Sequence, residues 1–150
     1  MSHIHQEIQV DAPIEHVFEF ACQVDRQREW NPYIDLFNVS GPINVVGTTF
    51  DSHLNLVGQC ISSKGAVVEV EPQRLIHIRV IEHRGASEWF YRFEPSGAGT
   101  RCSLDIEYEK EGMFGGVIDR LLFHGALDRA ARHMAENFAA LAEQKVATPV

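Results

Sequence analysis

At 150 residues, 45% of them hydrophobic and 23% charged, the chain has the size of one globular domain (1–150) and too much apolar content to stay disordered. Its net charge of -8, with Lys and Arg scattered instead of gathered into a stripe, repels phosphate backbones and anionic headgroups, so no nucleic-acid partner is expected. Cys22, Cys60 and Cys102 are far apart, odd in number and lack a Cys-x-x-Cys spacing, which fits buried thiols in a reducing compartment better than a disulfide framework, with the cytoplasm as the simplest expectation.

The first elements follow from local chemistry. Ile4, Ile8 and Val10 alternate with polar residues as a half-buried strand does. Asp11 and Pro13 then supply cap and first-turn signals for a helix ending near Cys22, whose Ile14, Val17, Phe18 and Ala21 fall on one face. Asp25 is placed to cap a second short helix that ends near Trp30, because Asn31 precedes Pro32 and is pushed out of the helical region.

From Tyr33 the helical period gives way to alternation, punctuated at Ser40-Gly41-Pro42, Val57-Gly58, Glu71-Pro72-Gln73, Arg84-Gly85 and Ser96-Gly97-Ala98-Gly99. This predicts six strands over 33–39, 47–56, 59–71, 74–83, 86–94 and 100–109, joined as antiparallel hairpins. Gly112, Gly115 and Gly116 form a hinge-like entry to a last helix over 117–143. Its expected apolar stripe is Ile118, Leu121, Leu122, Leu127, Ala131, Met134, Phe138 and Leu141. No stretch of about 18 apolar residues occurs, so no stable membrane insertion is expected, and residues 1–6 show no basic region followed by an apolar one, so export is not expected.

Candidate functional residues lie on the strands and the last helix. Trp89, Tyr91 and Phe93 share one strand face, which either lines a pocket or packs against the helix. Ile76, Ile78 and Val80 share a face with Glu82, which becomes an acid or base if it is buried and stays an ordinary surface carboxylate if it is not. Arg120, His124 and Asp128 run along the border of the helix stripe, either meeting the polar end of a ligand or forming solvated ion pairs. Trp30 either caps a cavity or anchors its corner. Glu82, Tyr91 and His124 are therefore the candidates for acid–base work, and Phe50, Ile78, Val80, Trp89, Tyr91, Phe93, Leu121 and His124 are the candidates for ligand binding.

The eight histidines lack the spacing of a metal site, and no cofactor fingerprint is present, so neither a metal nor a cofactor is expected. The glycine patterns of hydrolases, NTPases and dehydrogenases are absent as well. Asp105 and Glu107 share a strand face that is expected to meet solvent near Arg92 or Arg101.

Taken together, Val10-Asp11-Ala12-Pro13-Ile14-Glu15-His16-Val17-Phe18, Trp30-Asn31-Pro32, the segment Tyr91-Arg92-Phe93-Glu94-Pro95-Ser96-Gly97-Ala98-Gly99-Thr100-Arg101 and the closing amphipathic helix resemble the START-like (SRPBCC) superfamily. The likeness is to its polyketide cyclase/dehydrase and lipid-transport branch, related in fold to the birch-pollen allergen. It implies an α+β helix-grip fold: a seven-stranded curved antiparallel sheet wrapped around a long C-terminal helix, with two short helices between strands 1 and 2. It also implies a small hydrophobic partner such as a lipid, polyketide, isoprenoid or aromatic compound. Within that fold three functions stay open: a binding or transport protein, a cyclase or dehydratase using pocket acids and bases, and a protein-interaction module. The oligomeric state is not legible.

Overall fold

The computed structural model describes residues 2–82, 85–109 and 117–147, with side chains of the last helix from 121 to 144. The glycine entry at 112–116, the turn at 83–84 and the side chains of Ile118 and Arg120 lie outside the described residues. Strand β1 (Ser2–Val10) leads into helix α1 (Ile14–Ala21), a 3-10 turn (Val24–Arg26) and helix α2 (Gln27–Trp30). Strands β2 (Ile34–Phe37), β3 (Thr49–Leu56), β4 (Gln59–Glu71), β5 (Leu75–Glu82), β6 (Gly85–Ser96) and β7 (Gly99–Tyr108) follow, and helix α3 (Val117–Ala147) closes the chain.

The seven strands form one antiparallel sheet in the order β1-β7-β6-β5-β4-β3-β2, so the first strand returns to pair with the last. Ile4 faces Ile106, and Val10 faces Thr100. A register shift between Val67 and Glu69 puts a bulge in β4 opposite β5. Bulges bend and twist the strand that carries them, and this one lies where the sheet must curl around the helix.

Two cap assignments from the sequence are corrected. Pro13, not Asp11, is the residue before α1, and no side chain caps the helix. The Asp11 N–H instead donates to Glu143 Oε1 of α3 at 3.0 Å, which ties the β1–α1 corner to the far end of the long helix. Asp25 sits inside the 3-10 turn and caps nothing, since α2 starts only at Gln27.

The buried face of α3 also differs from the expected stripe. Phe123, Ala126, Leu127, Ala130, Ala131, Met134, Phe138, Ala139 and Ala142 are buried, whereas Leu121 and Leu122 are 61% and 59% exposed. At about 100° per residue, Leu121 stands roughly 200° around the axis from Phe123, so the two cannot face the sheet together. The expected stripe holds at Leu127, Ala131, Met134 and Phe138, but it omits Phe123 and the buried Ala126, Ala130, Ala139 and Ala142, whose small size lets the helix approach the sheet closely.

Phe138 organises the corner where the short helices meet α3. Its ring stacks on Phe20 of α1 at 5.4 Å and meets Trp30 of α2 edge-on at 5.2 Å. Phe18 meets Phe93 of β6 edge-on at 5.2 Å. Such pairs contribute about 0.5–1.5 kcal/mol each beyond their buried area, enough to fix the position of two very short helices. Buried Thr100 completes the join by donating from Oγ1 to the Ala12 carbonyl at 2.8 Å.

Candidate functional site: a cavity between sheet, short helices and last helix

Between Phe123 and Asp128, α3 packs on β1 and on Tyr108 at the end of β7. Phe123 meets Tyr108 edge-on at 5.7 Å, and Gln6 of β1 donates to Asp128 at 2.8 Å. Farther along, the curling sheet separates from the helix and leaves a cavity. Its volume is about 150 Å3, and it opens to solvent at a mouth. Apolar cavities of about that volume are large enough to admit a benzene-sized ring.

The wall is built from alternate residues of neighbouring strands, because successive side chains point to opposite sheet faces. Ile76, Ile78 and Val80 of β5 sit beside Trp89, Tyr91 and Phe93 of β6, with Phe50 and Leu54 of β3 and Ile61 of β4 continuing the surface. The opposite wall comprises Trp30 and neighbours on α2 together with Met134 and Phe138 of α3. Ser52 and Ser63 line it too, and their hydroxyls satisfy each other at 2.7 Å. Trp89 donates its indole N–H to Ser87 Oγ at 2.9 Å.

Phe50, Ile78, Val80, Trp89, Tyr91 and Phe93, all read from sequence as ligand-facing, therefore come together on one cavity. Leu121 and His124 do not. Leu121 is turned to solvent, and His124 Nδ1 is hydrogen-bonded to the Tyr108 hydroxyl at 2.7 Å, away from the cavity lining. The reason is the helix phase: the residues of α3 that reach the cavity come from its later turns, at Met134, Ala135 and Phe138.

Of the candidate proton carriers, Glu82 and Tyr91 lie on the cavity wall. Glu82 is half-buried at the end of the apolar face of β5, and its Oε1 is enclosed with no hydrogen-bond partner among the described residues. Tyr91 is half-buried, and burial pushes its hydroxyl well above its ordinary pKa. Cys102 also lines the wall, and burial pushes its thiol up to about 12.

Four buried side-chain atoms lack a partner among the described residues: Gln27 Oε1, Trp30 Nε1, Asn31 Nδ2 and Glu82 Oε1. All four residues line this cavity. Sequence reasoning missed Gln27 and Asn31 as site residues, since it gives Asn31 only the role of stopping a helix before Pro32. A polar pair at i and i+4 beside a tryptophan is the signal that could have found them.

The outer sheet face carries the charges. Asp105 accepts from His5 at 2.7 Å, from His3 at 2.9 Å and from Arg92 at 2.7 Å. Among the described residues no group of three or more His, Cys, Asp or Glu is arranged to hold a metal ion, and no helix is long and apolar enough to cross a membrane.

Comparison with known proteins agrees with this architecture. The family model described as polyketide cyclase / dehydrase and lipid transport matches residues 1–143. No curated protein matches significantly in sequence. Among solved structures, TTHA0849 from Thermus thermophilus is similar with a TM-score of 0.80 at 17% identity, over 98% of this chain and 100% of that one. The Zhui aromatase/cyclase from Streptomyces sp. R1128 is similar with a TM-score of 0.76 at 17% identity, over 99% of each chain. Ara h 8.0201 is similar with a TM-score of 0.68 at 7% identity, over 95% of this chain and 98% of that one. At these identities the likenesses establish a shared helix-grip fold.

Proposed function

The chain belongs to the polyketide cyclase / dehydrase and lipid transport family, and from that premise we propose that it binds a small hydrophobic molecule in the cavity between sheet and last helix. The observation that carries the reading is the wall itself. Aliphatic and aromatic side chains from β3, β4, β5, β6, α2 and α3 converge on a space large enough for a compact ring system, with few polar groups among them. Burying an apolar skeleton there yields about 25 cal/mol for each Å2 removed from water.

The test is native mass spectrometry of freshly purified protein, followed by denaturing extraction and identification of any released molecule. A stoichiometric apolar adduct supports the reading. A bare protein mass together with no thermal shift from a panel of apolar compounds counts against it.

A second reading, an enzyme of the cyclase or dehydratase type, draws support from Glu82. An enclosed carboxylate oxygen with no partner among the described residues, at the end of the apolar wall, has the placement of a proton acceptor. One fold neighbour is described as an aromatase/cyclase. In this reading Glu82 takes a proton from a carbon between two carbonyls, and that carbon bonds to a further carbonyl carbon of the same ligand chain. The oxygen there takes up the proton as a hydroxyl, and the hydroxyl leaves as water with the second hydrogen of the attacking carbon. Tyr91, six residues along the sheet, holds a more distant part of the ligand chain. Incubation with a stabilised poly-β-carbonyl compound tests it. Loss of one water in the wild type, abolished in Glu82→Gln, supports the enzyme; no turnover leaves the binding reading alone.

A further inference from the structure

The segment from Gln27 to Asn31 carries three of the four unpartnered atoms. Gln27, Trp30 and Asn31 are 8%, 7% and 0% exposed, so bulk water does not serve Gln27 Oε1, Trp30 Nε1 or Asn31 Nδ2. Neighbouring polar groups of the same corner are engaged. The Asn31 N–H donates to the Gln27 carbonyl at 2.9 Å, and Asn31 Oδ1 accepts from the Tyr33 N–H at 3.2 Å. The Trp30 carbonyl accepts from Asn137 Nδ2 of α3 at 3.4 Å. The bond from Tyr33 fixes the sense of the Asn31 amide, leaving its NH2 group as the free half.

Buried polar groups in folded proteins are almost always paired, and each unpaired one calls for a cause, such as a ligand that completes it. Here the missing partners are needed by two donors, the Trp30 indole N–H and the Asn31 NH2, and by one acceptor, the Gln27 oxygen. A hydroxyl, with one hydrogen and two lone pairs, is the complement of that set. A ketone or ether matches only the donors, and a hydrocarbon matches none.

We infer that Gln27, Trp30 and Asn31 form a recognition site for a hydroxyl group on an otherwise apolar ligand, a phenol or alcohol, held at the α2 side of the cavity. This rests on the binding reading above and adds its selectivity. The sheet and Phe138 hold the skeleton, and the three unpartnered atoms of segment 27–31 choose which oxygen function accompanies it.

Three ligands of nearly equal shape test the assignment: 2-naphthol, 2-methoxynaphthalene and 2-methylnaphthalene. Each is titrated against wild-type protein carrying a bound anilinonaphthalene sulfonate probe, and its thermal shift is measured in parallel. The expected order is 2-naphthol tightest, with about a tenfold advantage over 2-methylnaphthalene despite its smaller apolar surface, the effect of roughly one net hydrogen bond. In Trp30→Phe and in Gln27→Met the ratio of 2-naphthol to 2-methylnaphthalene affinity shrinks severalfold, whatever happens to the absolute affinities.

Methyl and hydroxyl ligands bound equally by the wild type, or methyl preferred, overturns the inference and leaves the apolar cavity standing. A methoxy ligand as tight as the naphthol overturns the hydroxyl assignment. Failure of all three to bind overturns both this inference and the binding reading. The wild-type ratios decide the question on their own if either variant fails to fold.

Discussion

Phe50 and Gly65 face each other across β3 and β4, and the Phe50 ring occupies the space that a Cβ at position 65 would take. The glycine is required by that close approach and not by its backbone conformation, since it has no positive φ. Because Phe50 is part of the cavity wall, the pair links sheet packing directly to cavity shape.

Gly65→Ala is expected to destabilise the fold by about 1–3 kcal/mol as the ring is displaced, and to change ligand affinity. Gly125→Ala on α3 is expected to have the opposite sign, raising stability by about 0.5–1 kcal/mol, because a helical alanine is favoured and the nearest obstacle is the flexible end of Arg129. Urea unfolding of both variants measures the two changes. Equal effects would show that the Phe50 ring does not fill position 65.

Asp105 makes acid stability testable. Burial alone raises its pKa, but the hydrogen bonds from His5 and His3 and the charge of Arg92 outweigh this and hold the carboxyl below its usual range. A carboxyl whose pKa is lowered on folding contributes stability above its unfolded pKa of about 3.9, and that contribution disappears as pH falls through the lower folded value. In urea midpoints measured from pH 7 down to pH 2, wild type should exceed Asp105→Asn by most above about pH 5, with the gap closing below about pH 4. Parallel profiles would mean that the cluster contributes nothing to folding.

The three thiols should separate by reactivity. Cys60 is exposed, whereas burial pushes Cys22 up to about 11, helped by Glu19, and Cys102 up to about 12. The thiolate is the reactive form, so one thiol per chain should react quickly with a disulfide reagent at about pH 8 and the other two only on unfolding. Rapid labelling of Cys102 in the native protein would contradict the closed packing of the cavity wall.

Leu121 and Ile78 give a paired control on where the cavity lies. Ile78 is buried on its wall, so Ile78→Ala should cost about 2–4 kcal/mol and alter ligand affinity. Leu121 is exposed, so Leu121→Ser should change stability by less than about 0.5 kcal/mol and leave binding unaltered. Thermal melts with and without an apolar ligand compare the two. A loss of binding in Leu121→Ser would place the ligand on the outer face of α3.

These contrasts also mark how far the sequence could be read. Alternation in β5 and β6 puts Ile78, Val80, Trp89, Tyr91 and Phe93 on one face because the period of a strand is rigid, and a one-residue error would invert every side chain. The phase of α3 is harder. Leu121 and Leu122 attract attention by size, while the buried surface is carried by Phe123 and a row of alanines whose smallness matters only against a neighbouring sheet. Glu82 poses the same difficulty from the other side: its place on the cavity wall depends on how far the sheet curls, which periodicity does not encode. Gln27 and Asn31 acquire meaning only once α2 is seen against Phe138 and the open space beside it.

The protein contains two tryptophans, and both Trp30 and Trp89 line the cavity. The most direct test of the account is therefore titration of Trp30→Phe and Trp89→Phe, each retaining one fluorophore, with brominated apolar ligands such as 1-bromonaphthalene. Bromine quenches only at short range, so the account predicts saturable quenching of the remaining tryptophan in both variants at the same ligand concentration. Binding by mass or thermal shift without quenching of either tryptophan would contradict it and move the ligand site off this cavity.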